Sequence, residues 1–143
     1  MCLALYMAAA KPLPLIPWDA AHPGFHVTEL SADAAGVRRH FNKPFMFYAG
    51  AHEGCACAFN YGREYPDFED DPADLAAAQN DIASLSRYLT EAASDGSSIE
   101  LFSCYFGDEA KDSQHARVCF ARTIADPDFY FHDREFLLVN KVA

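Results

Sequence analysis

No apolar run in the chain approaches the roughly 18 residues that a helix needs to cross a bilayer, so a membrane partner is not expected. Basic residues are also scarce. Eleven Lys and Arg stand against 21 Asp and Glu, a formal net charge of −10. Such a surface repels phosphate. The one basic cluster, Arg38-Arg39-His40 with Lys43, is too small for a nucleic-acid footprint. The phosphate-cradling patterns G-x-G-x-x-G and G-x-x-x-x-G-K-[ST] are missing, as is the serine elbow G-x-S-x-G, so those chemistries have no support. Internal repeats and low-complexity tracts are absent too.

Cysteine is sparse. Its five positions are Cys2, Cys55, Cys57, Cys104 and Cys119, an odd and unevenly spaced set that does not resemble a disulfide framework. Reduced thiols in the cytoplasm are the expectation. The segment Met1–Ala10 lacks a basic region ahead of its short apolar stretch. It therefore reads as a buried first strand, Cys2 to Ala9, and not as a targeting segment.

What the chain has in quantity is core material. Over 143 residues, 51% are hydrophobic, with twelve Phe and seven Tyr, enough for one packed and soluble globular domain spanning 1–143. Three prolines between Pro12 and Pro17 exclude helix there and favour a stiff extended path that lays Leu15, Ile16 and Trp18 on the core. Phe25 to Leu30 reads as a strand, and Ala32 to Phe41 as a short helix with Ser31 at its N-cap. The clearest element is a helix over about 72–93. Asp71 is suited to the N-cap and Pro72 to the first turn, and Asp95-Gly96 closes the far end. Leu75, Ala78, Ile82, Leu85, Leu89 and Ala92 recur at three and four, which puts one apolar stripe on that helix and leaves Asp74, Asp81, Ser84 and Glu91 to the surface.

Further strands are expected at Phe45 to Ala49, Cys55 to Tyr61, Ile99 to Phe106 and Ala116 to Thr123, with a closing hairpin of Phe129 to His132 and Phe136 to Val142. Strands outnumber helices and come in pairs. The fold class is therefore α+β, a largely antiparallel or mixed sheet covered by the long helix and the short one (about 32–41).

Chemistry concentrates in Tyr48 to Tyr61, where His52, Cys55 and Cys57 form an H-x-x-C-x-C pattern on a hairpin whose turn has glycines at both ends, Gly50 and Gly54. In a strand, Cys55, Cys57 and Phe59 share one face. Three readings stay open. In the first, both cysteines are small buried hydrophobes and the chain is an interaction domain. In the second, they ligate a transition metal: thiolate and imidazole suit zinc or copper, with His52, Cys55 and Cys57 joined by Cys104, Cys2 or another histidine. In the third, they form a thiol site, including a small enzyme in which Cys55 or Cys57 is the nucleophile, His52 the base and Glu53 the group that orients it. The functional expectation is a small binding or accessory domain with a metal or thiol site, acting on a protein or small-molecule partner.

Other candidates are weaker. His22 and His26 stand four apart, but Pro23 and Gly24 break any helix between them, so backbone hydrogen bonding is the expected role. His115 and His132 read as surface or hairpin residues. The acidic run Asp67-Phe68-Glu69-Asp70-Asp71 lacks the spacing of a calcium loop and fits the electrostatics of a helix N-terminus.

Overall fold

The computed structural model describes residues 2–63 and 71–141. Six strands form one sheet: β1 (Leu3–Ala9), β2 (His26–Glu29), β3 (Phe45–Gly50), β4 (Ile99–Tyr105), β5 (His115–Phe120) and β6 (Glu135–Asn140). Their order is β2-β3-β1-β4-β6-β5, antiparallel throughout except for the parallel pair β5 and β6. The mixed α+β sheet expected from the sequence is the one found.

β1 lies in the middle, and all seven of its residues are buried. A strand covered on both faces has apolar residues at every position rather than at alternate ones, and Leu-Ala-Leu-Tyr-Met-Ala-Ala meets that requirement. Leu3, Leu5, Met7 and Ala9 face the long helix α1 (Pro72–Ala92), packing with Ile82, Leu85 and Leu89. Ala4, Tyr6 and Ala8 face the other way, toward Ala34, Val37, Phe102 and Cys104.

α1 begins where its capping residues direct. The Asp71 carboxylate accepts from the Ala73 N–H at 3.0 Å, and Pro72 occupies the first turn. The helix ends at Ala92, and Gly96 takes a left-handed φ of 88° in the turn beyond it. The apolar stripe is buried as expected, apart from a half-buried Leu75. Asp81 departs from its expected surface position and is only 3% exposed. It stands three residues after Ala78 and four before Leu85, so it belongs to the inward face.

Three further departures concern the backbone. Ala32–His40 is a 3-10 helix without a side-chain cap from Ser31, and its Gly36 sits so close to Ala110 that an added Cβ would come within 2.9 Å of that side chain. Cys55 to Tyr61 is not a strand: it is a turn followed by a 3-10 helix, Cys57–Asn60. Phe129 to His132 is not a strand either, because side chains take up its carbonyls. Arg63 donates to Phe129 O at 2.8 Å, Arg117 to Tyr130 O at 2.6 Å, Asn60 to Phe131 O at 2.9 Å and Ser103 to His132 O at 2.6 Å. The proline segment does run extended, bridging Ile16 to Val27, but it buries Leu13 and leaves Leu15 and Trp18 exposed. Of the acidic run, Asp67 to Asp70 lie outside the described residues.

The Leu85 side chain is wholly buried between α1 and the sheet. Leu85→Ala is expected to cost about 3 kcal/mol of stability. In urea unfolding this appears as a lower midpoint at an unchanged slope.

Candidate metal centre

The site begins with a shortfall of hydrogen bonds on β1. β3 follows β1 from Ala9↔Phe45 to Leu5↔Ala49, and then the chain turns away. The turn closes on itself through Ala51 N–H to Cys55 O at 2.8 Å and Gly54 N–H to Ala51 O at 3.0 Å. Gly54 has φ 91°, a conformation that L side chains rarely adopt. The Tyr48 hydroxyl donates to Gly54 O at 2.6 Å and holds the tip of the turn. The first residue of β1 then takes its partners from the returning chain. Ala56 N–H donates to Leu3 O at 2.9 Å, and the Leu3 N–H donates to Cys57 Sγ at 3.1 Å.

This docking carries Cys55 and Cys57 to the start of β1, beside Cys2. The backbone of Cys2 is fixed from the other side, where its carbonyl accepts from Phe106 N–H at 3.0 Å. The three sulfur atoms lie within 4.8 Å of one another. Cys2 is exposed, and Cys55 and Cys57 are half-buried. Thiolates on one zinc stand about 3.8 Å apart, given Zn–S bonds near 2.3 Å. The cluster therefore fits a shared ion after small side-chain adjustments.

Cys57 is more acidic than Cys55. The Cys55 thiol donates to it and the Leu3 N–H adds a second bond; together they outweigh burial and bring its pKa down to about 7. The same coupling, with burial, pushes Cys55 up. Of the two thiols, Cys57 gives up its proton first.

Neither His52 nor Cys104 joins this group. Cys104 is buried on the opposite face of the sheet with Tyr6 and Phe102, where burial holds its thiol at about 12. His52 is tied to α1. Its Nδ1 and its backbone N–H both meet Asp81 Oδ2, at 2.6 and 2.9 Å, and its Nε2 lies 3.4 Å from Asp74 Oδ1. Glu53 does not orient that ring; it accepts from the Tyr61 hydroxyl. His26 bonds the backbone as expected, with Nδ1 2.9 Å from Gly24 O, although it sits within β2. Its ring also lies against Gly50, where an added Cβ would collide with the imidazole.

Residue type alone makes Cys2 one candidate among Cys104 and the other histidines, and the fold brings it to Cys55 and Cys57. Asp81 was not legible in the sequence, because a periodicity count restricted to apolar residues passes over a buried carboxylate. Comparison with protein-family models, with curated proteins and with solved structures found no match to this chain.

The His52–Asp81 pair has a definite pH signature. Burial opposes protonation of His52, but the hydrogen bond and charge of Asp81, aided by Asp74 and Glu53, prevail and raise its pKa above the ordinary 6.5. A raised histidine contributes its full stabilisation below the unfolded value and loses it as pH climbs through the folded one. The stability gap between the native chain and His52→Gln is therefore expected to be widest near about pH 5.5 and to narrow toward about pH 8. Cys57 titrates in both proteins and cancels. Urea midpoints across that range check this, and a gap that widens with pH would contradict the pairing.

Proposed function

We propose that this chain is a small metal-binding accessory domain that holds a thiophilic ion, copper(I) or zinc(II), on Cys2, Cys55 and Cys57. The convergence of three sulfurs from two distant segments carries the proposal. Thiolates are the donors that select copper(I) and zinc. A set of three leaves one coordination position of zinc open, whereas structural zinc sites are closed by four protein ligands. That favours an ion that is loaded and passed on over one that is permanent. The partial exposure of all three sulfurs gives the ion an entry path.

Protein purified without added metal is expected to carry or take up close to one equivalent of copper(I) or zinc, measured by elemental analysis and chelator competition. Cys2→Ser, Cys55→Ser and Cys57→Ser should each weaken binding by roughly tenfold or more, because each removes a charged donor. Cys104→Ser and His52→Gln should leave it intact. Folded protein with no affinity for either ion, or binding that survives loss of Cys55 and Cys57 together, sinks the reading.

A second reading has its own observation. The two bonds to Cys57 Sγ are those that stabilise a thiolate, which is the nucleophilic form. In that reading Cys57 reacts with an electrophilic small molecule. Its base is not His52, whose ring nitrogens meet Asp81 and Asp74. Metal-stripped protein treated with iodoacetamide at neutral pH should then be alkylated first at Cys57, and last at the buried Cys104. Labelling of Cys57 no faster than of the half-buried Cys119 rules this reading out.

A further inference from the structure

On the sheet face away from α1, the strand registers line up a row of aromatic side chains. Tyr6 stands opposite Phe102 on one side and Tyr48 on the other, and Tyr48 stands opposite Thr28. The 3-10 helix Ala32–His40 covers the Phe102 end of that row. His40 stacks on the Phe102 ring at 3.8 Å, and Ala34 and Val37 share its cluster. Nine residues of 3-10 helix extend about 18 Å, whereas six strands measure about 24 Å across. The remaining end is left as a cleft of about 300 Å³, lined by Tyr6, Thr28, Glu29, Ser31, Tyr48 and Phe106.

We propose that this cleft binds a small organic cation with a methylated ammonium head group. The ring centroids of Tyr6 and Tyr48 are 5.8 Å apart and those of Tyr48 and Phe106 6.2 Å, with planes tilted by 59° and 36°. Rings so tilted are neighbouring walls, not a closed stack, and a cation within about 6 Å of such rings is attracted by their quadrupoles. Both tyrosine hydroxyls are already committed: Tyr6 donates to Glu109 Oε2 at 2.9 Å and Tyr48 to Gly54 O at 2.6 Å. Tyr6 is buried at the floor of the cleft, so the half-buried Tyr48 ring and the exposed Phe106 ring supply the surface for recognition, which suits a head group that has no N–H to satisfy. Glu29 brings an exposed carboxylate to the cleft, with no salt-bridge partner among the described residues, and no Lys or Arg lines it. The volume lies at the lower end for ligand sites, so the ligand is small. None of this depends on the sulfur cluster holding a metal.

The test titrates the full chain with choline and, separately, with its neutral isostere 3,3-dimethylbutan-1-ol, following the ring resonances of Tyr48 and Phe106. Choline should shift both, and the isostere should bind roughly tenfold more weakly, since it lacks the charge. Phe106→Leu alters a ring that is 50% exposed and should leave the fold intact. It is expected to weaken choline binding by roughly threefold to thirtyfold. Glu29→Gln should weaken it further and reduce its dependence on salt. Equal binding of choline and the isostere would overturn the proposal in favour of a merely apolar cleft. Absence of shifts at high millimolar choline, or indifference to Phe106→Leu in a folded variant, would overturn it as well. Repeating the titration with Cys55→Ser separates its outcome from that of the metal reading.

Discussion

Strand β1 is buried along its whole length, so each of its backbone N–H and C=O groups has to find a partner inside the protein. An unsatisfied buried group costs about 1–3 kcal/mol, and a seven-residue central strand has many such groups. β4 satisfies one edge along nearly the full strand, while β3 satisfies the other only as far as Leu5. The loop after β3 completes the edge with one amide and one sulfur, at Leu3 O and Leu3 N. The sulfur cluster is thus an outcome of closing that edge. Cys57 serves the fold as an acceptor, and after the bond from Cys55 this one from Leu3 makes it the more acidic thiol of the pair.

The loop is secured at several points, and each uses a different kind of contact. Tyr48 holds its tip by a hydrogen bond to a carbonyl. Asp81 reaches from the inward face of α1 to take both the backbone and the ring of His52. The side chain of Asn60 makes a paired bond to the Phe131 backbone, 2.9 and 2.8 Å, in place of a strand ladder. Polar groups buried among apolar ones are tolerated here because they are matched, and they define a conformation that hydrophobic packing alone would leave loose. The acidic character of the chain has a local counterpart at this loop, where Asp74, Asp81 and Glu53 surround the histidine.

The sequence made the large elements readable because they depend on local signals. α1 carries its cap, its proline and its stripe within its own segment, and β1 declares itself by unbroken apolar content. The failures share a different origin. Cys55 to Tyr61 has the composition of a strand, and only the vacancy beside Leu3 makes it fold into a turn and a 3-10 helix. Phe129 to His132 likewise has strand-forming residues, but Arg63, Arg117, Asn60 and Ser103, which occupy its carbonyls, are brought together by the tertiary fold. His52 and Cys104 suit a ligand set by residue type, but His52 is bound to Asp81 on α1 and Cys104 lies on the opposite face of the sheet. The bond from the Leu3 N–H to Cys57 that brings the returning chain beside Cys2 spans 54 residues, a distance at which no spacing rule operates.

That separation has a mechanical meaning. β1, β2 and β3 all lie between Cys2 and Cys55 in the chain. An ion gripping both ends would turn the N-terminal stretch into a closed ring, threaded through one side of the sheet. Cross-links over such long loops act mainly on the unfolded chain, by removing conformations it would otherwise explore. Unlike a disulfide, this clasp would open and close with the supply of free metal. The resilience of half the sheet would then follow the metal content of its surroundings.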